Sequence, residues 1–446
     1  MKTHKTDLSR RQALLSGLFG AGFMGLRSLA TGLPLAFFLR PNTAMSEETC
    51  VAAANAQYLV LSTSGNGDPL NANVPGAYLL PGIAHPLDAT MAKTNFKLGA
   101  QTVTAALPWS TLPAHLMGQT CFFHHTTLTN NHSNQNKVMR LMGGTKRQEM
   151  FSSLYAKNLA ACLGTVQHEP ITVGANGSGE LLSYEGRTLP KLSPSGLKDV
   201  LTSPVGPLTN LQKLRDDDLN RLNALFKETG NSAQRGFLDR LAQSQTEVRS
   251  LSQALLQGLS EITGDDQNNQ VLAAALLIKM KVAPVVSVHL SFGGDNHGDT
   301  GLVNEAKFTN ASVETIKALF AKLAELGLED KVTFAAMNVF GRTLSPKGGD
   351  LNAPTGRDHL ANHHCTLMIG KGLKPSVIGG IMAKGTDFTA TGIDSVTGAA
   401  NPTGGDVPFA DTLNAVGKTL GKALGVPDAA LQDGITGGIV VPAALA

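Results

Sequence analysis

The chain has 446 residues, of which 42% are apolar and 16% charged. That is enough hydrophobicity for a sizeable core and too little charge for a disordered chain. The net charge is +3, but Lys2, Lys5, Arg10, Arg11, Arg27 and Arg40 all fall in the first 44 residues against one acid, Asp7, so the remainder is near −2. Nucleic-acid binding thereby loses its main support, and Trp109 with 5% aromatics offers little for base stacking. The length allows up to about three domains of roughly 150 residues. The 48 glycines point to many tight loops.

Residues 8–40 place the pair Arg10-Arg11 ahead of an apolar, Gly-rich stretch, the layout of an export signal. Ser9-Arg10-Arg11 with Leu14 and Leu15 resembles a twin-arginine signal, with Ala13 where such signals carry an aromatic residue. Arg27 leaves about 15 apolar positions before it, short of the roughly 20 that a membrane span needs. The reading is therefore a cleaved signal over 1–44 rather than an anchor. The mature chain is expected in the periplasm or outside the cell, with no stable membrane span. The four cysteines, Cys50, Cys121, Cys162 and Cys365, form no CxxC pair. Cys121 and Cys365 sit in strand-like runs as small hydrophobes, and the spacing selects no disulfide pairing.

Five short apolar runs bounded by Gly and polar residues follow: 57–63, 119–123, 284–292, 331–339 and 364–369. They predict buried, mostly parallel strands. Between the third and fourth, Val313, Ile316, Leu319, Leu323 and Leu326 keep helical spacing, with Ser312 as N-cap and Gly327 as stop, which completes a βαβ unit. A further helix spans about Thr412 to Leu424. Residues 207–263 carry Leu238, Leu241, Val248, Leu251 and Leu255 at helical spacings and read as a helical insert, with Asp216-Asp217-Asp218 on a solvated face.

In open parallel sheets ligands bind beyond the carboxyl ends of the strands. Those positions hold Asn66 and Asp68; His124, His125 and His132; Asp295, Asn296, His297 and Asp299; and Arg342, Thr343, Arg357, Asp358 and His359. Carboxylate and imidazole suit a divalent metal, while Arg342 and Arg357 suit phosphate or sulfate. Each piece also has an ordinary explanation in turn chemistry. It is their recurrence after several strands that points to a site.

Three segments together, SGNGDPLNANVPG at 64–76, GGDNH at 293–297, and FGRT followed by GRDH at 340–359, resemble domain-of-unknown-function family 1501 of the alkaline-phosphatase-like superfamily. The resemblance extends over roughly residues 50–430. It implies a three-layer αβα sandwich with a mostly parallel sheet spanning 45–446, a site for divalent metals such as zinc or manganese, and hydrolysis of a small anionic ester. Asp68, His132, Asp295, His297, Asp358 and His359 are the implied ligands. Ser133 and Thr129, beside His132 at an expected helix start, are the candidate nucleophiles, and Arg342 and Arg357 would balance the substrate's charge. The chain departs from the family at Asn338 and Val339, where Ser-Glu is usual before FGRT, and no His follows His364. Those departures leave open a second reading, an exported binding or assembly protein that keeps the fold with an incomplete site.

Overall fold

The computed structural model describes residues 55–174, 182–202 and 253–446, with scattered positions between 221 and 238. The expected export segment 1–44, Cys50, Asp216-Asp217-Asp218 and most of the helical insert at 207–263 lie outside the described residues. Among the described residues no helix is long and apolar enough to cross a membrane.

The chain forms a mixed α/β structure around one eight-stranded sheet. Its strands are β1 (Tyr58–Ser62), β2 (Thr120–His125), β3 (Ile171–Val173), β4 (Lys191–Leu192), β5 (Val285–Val288), β6 (Val332–Ala336), β7 (His364–Ile369) and β8 (Ser376–Ile378). Their spatial order is β8-β2-β7-β6-β1-β5-β3-β4. All five apolar runs become strands of this sheet. They read as continuous apolar runs because both faces are covered, so alternate residues enter opposite cores. On one face Tyr58, Val60, Phe122, Val286 and Phe334 pack with helices α2 (Gln267–Lys279) and α3 (Val303–Glu325). On the other, Leu59, Leu61, Phe123, Ala335 and Met368 pack with α1 (Phe151–Leu163) and α4 (Thr412–Ala423). Cys121 and Cys365 are free and buried, as small hydrophobes are, whereas Cys162 is disulfide-bonded.

Helix α3 starts nine residues before Ser312. Ser312 is buried inside it, its hydroxyl donating to Ser291 O at 2.5 Å. The capping role belongs to Asp299, whose two carboxylate oxygens accept from the N–H groups of Asn304 and Glu305, each at 2.9 Å. Gly327, at φ +71°, ends the helix as expected.

The sheet is parallel except for β7, which runs antiparallel to β6 and β2. This exception matters for function. The loop that leaves β7 lies at the far end of the sheet, while the segment that enters it, carrying Arg357, Asp358 and His359, arrives at the end where β1, β5 and β6 finish.

Candidate metal centre

Four side chains from three separated segments meet beyond that end of the sheet. One ligand atom from each of His132, Asp295, His297 and His359 lies within 4.8 Å of every other. Asp295 and His297 come from the loop after β5, His359 from the approach to β7, and His132 from the segment after β2.

The hydrogen bonds decide which nitrogen each imidazole presents. His132 Nδ1 lies 2.7 Å from Gly65 O, and His359 Nδ1 lies 2.7 Å from Asn130 O. A carbonyl only accepts, so both Nδ1 atoms carry the proton. His297 Nδ1 lies 2.9 Å from Asp358 Oδ1, and that carboxylate accepts likewise. In the neutral rings all three Nε2 atoms are therefore bare lone pairs, and they converge. His297 Nε2 is 2.8 Å from His359 Nε2 and 3.3 Å from Asp295 Oδ1, while His132 Nε2 is 3.7 Å from Asp295 Oδ2. Two imidazole lone pairs face to face repel unless a cation or a proton lies between them. Three imidazoles and a carboxylate, with each outer nitrogen tied to an acceptor, make a donor set that fits a divalent transition metal such as zinc.

The surroundings hold this arrangement in place. Phe340 packs against His132 and His359, with ring centroids 4.9 and 4.4 Å away. Gly67, at φ +68°, admits that ring, because a Cβ there would collide with it. Gly356, at φ +129°, lets the 350s loop pass against the backbone of Asn296 and His297, where a Cβ would again collide. Partial burial alone would raise the Asp358 carboxyl, but its bond to His297 and the nearby Lys347 ammonium outweigh that and hold it below the usual carboxylate range. Burial is the largest influence on His359 and lowers it below the ordinary imidazole value, keeping it neutral and able to ligate.

The other expected site residues separate by role. Asp68 is fully buried beneath the Asp295 loop. Its Oδ1 accepts from Gly294 N at 2.6 Å and Phe292 N at 3.2 Å, and burial raises its carboxyl above the ordinary value despite His289, those N–H groups and Arg342. Asp68 and Asp358 thus lie outside the four-atom cluster, one bracing the loop and the other orienting His297. Arg342 does reach the cluster, with Nη2 3.0 Å from Asp295 Oδ1 and Nη1 3.3 Å from His297 Nε2. Burial pushes its pKa down, with Asp295 the main opposing influence.

Arg357 is directed elsewhere. Its guanidinium is buried against Glu305, also buried, at 2.7 and 3.0 Å, and it donates further to Thr343 O, Leu344 O and Ala84 O. All five donors are used, so it has none to spare for a substrate. The expected helix start at the nucleophile candidates is only a 3₁₀ turn, His132–Asn134, and a five-residue helix, Gln135–Met139. That is too short for a useful macrodipole. Ser133 Oγ donates to Asn131 Oδ1 at 2.9 Å, and Thr129 Oγ1 accepts from Asn134 Nδ2 at 2.8 Å.

Sequence reasoning passed over three contributors. Glu305 neutralises Arg357, and the carbonyls of Gly65 and Asn130 orient two imidazoles. Glu305 looks like any exposed helix residue in a one-dimensional reading. A backbone carbonyl has no side-chain signature at all.

Residues 207–393 match the family model described as "Protein of unknown function (DUF1501)". The match is shorter than the stretch of the resemblance. It contains Asp295, His297, Arg342, Asp358 and His359, but neither Asp68 nor His132. No curated protein matches the chain.

Proposed function

We propose that this is an exported, metal-dependent hydrolase of a small phosphate or sulfate ester, built on an alkaline-phosphatase-like three-layer αβα frame. The observation that carries the reading is the convergence of three bare Nε2 atoms on Asp295, with every Nδ1 tied to an acceptor. His132, Asp295, His297 and His359 would hold the ion, with zinc or manganese the fitting choices. A bound divalent ion would supply Lewis acidity toward an ester oxygen. Arg342 adds a fixed positive charge at the edge of the cluster, suited to the anionic group of the ester. Asp358 holds His297 in one tautomer and one orientation. Phe340 shields one flank from water. The disulfide at Cys162 supports export, since such bonds persist in oxidising compartments. The periplasm or the exterior is thus the expected location.

One observation favours the second reading, a non-catalytic exported protein that binds an anionic ligand or a protein partner through the same centre. Ser133 Oγ donates to Asn131 Oδ1 and Thr129 Oγ1 accepts from Asn134 Nδ2 and Asn131 N, so among the described residues neither hydroxyl is hydrogen-bonded to a general base or to a member of the cluster. Metal analysis of the purified mature protein, joined to a screen of phosphate and sulfate monoesters and diesters, separates the two. The hydrolase reading expects about one metal per chain and a turnover that disappears in Asp295→Ala and His359→Ala. Metal without turnover on any ester selects the binding reading. Absence of metal, with no effect of either substitution, overturns both.

A further inference from the structure

Behind the metal centre a chain of hydrogen bonds runs from the main chain of Arg342 to Pro75, next to the exposed Gly76. Asn71, in the one-turn helix Leu70–Asn73, accepts from Arg342 N through Oδ1 at 3.1 Å and donates Nδ2 to Arg342 O at 2.9 Å. The same Nδ2 faces His363 Nδ1 at 3.3 Å, His363 Nε2 meets His124 Nδ1 at 2.9 Å, and His124 Nε2 reaches Pro75 O at 2.8 Å. The two ring planes differ by 11° with centroids 5.2 Å apart, so the rings meet edge to edge and share one proton nearly in plane. Asn71, His124 and His363 are all fully buried.

The tautomers can be read from either end, and the two readings agree. Pro75 O only accepts, so His124 carries its proton on Nε2 and leaves Nδ1 bare. His363 must then donate from Nε2, which leaves its own Nδ1 bare. From the other end, the N–H of Arg342 fixes which way the Asn71 amide points, and Nδ2 then needs an acceptor at His363 Nδ1. Burial, followed by the neighbouring imidazoles, holds His363 well below the ordinary value, and burial lowers His124 to about 4, so each ring keeps a single proton. Two glycines admit the chain. A Cβ at Gly76, φ +90°, would lie 2.6 Å from His124 Nε2, and one at Gly341 would lie 2.9 Å from Asn71 Nδ2.

What Asn71 holds is the segment that frames the centre. Arg342 lies opposite His359 in a short antiparallel pair, Thr343 N donates to Asp358 O at 2.9 Å, and Arg342 Nη2 reaches Asp295 Oδ1 at 3.0 Å. A turned Asn71 amide would set Nδ2 against the Arg342 N–H and Oδ1 against Arg342 O, and both bonds would break. We propose that His124, His363 and Asn71 form a positioning relay for the metal centre: the tautomers of two buried imidazoles lock the amide that clamps Arg342, and the clamp holds His359 and Asp295 at the spacing one ion needs. The inference rests on the metal reading of the cluster. It adds three buried residues that are not themselves ligands.

Zn²⁺ is titrated into the metal-free mature protein and its variants against a chromophoric chelator, with urea unfolding of each run alongside. His363→Gln can still donate to His124 and accept from Asn71, and should keep most of the wild-type affinity. His363→Leu offers Asn71 no acceptor and should bind about tenfold more weakly, the low end for loss of a supporting partner. Gly76→Ala, on exposed backbone, should push His124 off Pro75 O and weaken binding about threefold, within what residues without contact to a site exert. The imidazole ¹⁵N spectrum of the wild-type protein should show both rings bare at Nδ1 and protonated at Nε2, and His363 protonated at Nδ1 overturns the relay. Equal losses of affinity in His363→Gln and His363→Leu would mean that the ring's volume is what counts, and would overturn it as well. Unchanged affinity in His363→Leu, or in Gly76→Ala where His363→Leu does not fold, overturns the positioning role and leaves the metal centre standing. Wild-type protein that takes up no Zn²⁺ removes the centre and the positioning role together.

Discussion

Two groups of histidines lie at the same end of the sheet, and they are opposites. His132, His297 and His359 have Nδ1 tied down and Nε2 free to converge with Asp295. His124, His125, His363 and His364 on strands β2 and β7 and just before β7 are fully buried, and most of their nitrogens are already occupied. His124 Nε2 donates to Pro75 O at 2.8 Å, and its Nδ1 meets His363 Nε2 at 2.9 Å; the second ring continues to Asn71 at 3.3 Å. His125 donates Nδ1 to Thr126 O and accepts from Thr366 Oγ1, each at 2.8 Å. The number of histidines is therefore a poor guide to a metal site. What separates the groups is whether the second nitrogens converge on one another and on a carboxylate.

The largest test of this contrast is ligand removal. His297→Ala and His359→Ala should each abolish stoichiometric metal binding, measured by elemental analysis after gel filtration, whereas His125→Gln should leave one metal per chain. Loss of metal in His125→Gln would erase the distinction.

Next in size is the buried ion pair that separates Arg357 from Arg342. Glu305→Gln strips the buried Arg357 guanidinium of its counter-charge, and such breaks cost about 3–5 kcal/mol. A urea unfolding curve should show that loss directly. A shift below about 1 kcal/mol would mean that Arg357 is not the structural member of the two.

Asp358→Asn comes third. It keeps the shape but weakens the hold on His297, and loss of such a supporting partner typically costs about 10–100-fold in metal affinity. Equal affinity in the variant would argue that the tautomer of His297 is set by something else.

Acid sensitivity addresses the buried group. Burial lowers His124 and His125 to about 4 and keeps His363 and His364 well below the ordinary 6.5. Because the folded-state values are depressed, the unfolded chain binds more protons below pH 6.5. Stability is fully present above that value and falls as pH drops toward 4. Urea midpoints of the metal-free protein across that window should fall steadily, and His125→Gln should flatten part of the slope. The smallest effect is Ser133→Ala, expected to alter metal affinity by less than about twofold, since its hydroxyl contacts only Asn131 among the described residues.

Much of the framework was legible in one dimension. The five apolar runs are all strands because a strand covered on both faces has to be apolar throughout. The start of α3 was not legible, because a serine that caps and a serine that bonds across a core look alike until the partner is known. Asp295 and His297 were legible as a pair, being two apart in a Gly-rich loop after a strand. The bracing role of Asp68 and the division of labour between Arg342 and Arg357 were not. Both arginines follow a glycine in similar motifs, and only Glu305, 52 residues away in sequence, distinguishes them.

The low charge and high glycine content, with apolar runs ending in polar loops, determined by themselves that this chain builds a buried, mostly parallel sheet with Asp, His and Arg gathered at the strand ends. Hydrophobic patterning and loop chemistry are local properties, so the sequence carries them. Only the tertiary structure decided that β7 reverses, that His359 thereby arrives beside His297, and that four of the six expected ligands cluster, while Asp68 bonds to the Gly294 backbone and Asp358 to the His297 ring. The reason is physical: an imidazole becomes a ligand only when its other nitrogen finds an acceptor, and those acceptors, Gly65 O, Asn130 O and the Asp358 carboxylate, are brought from 61 to 229 residues away by the fold.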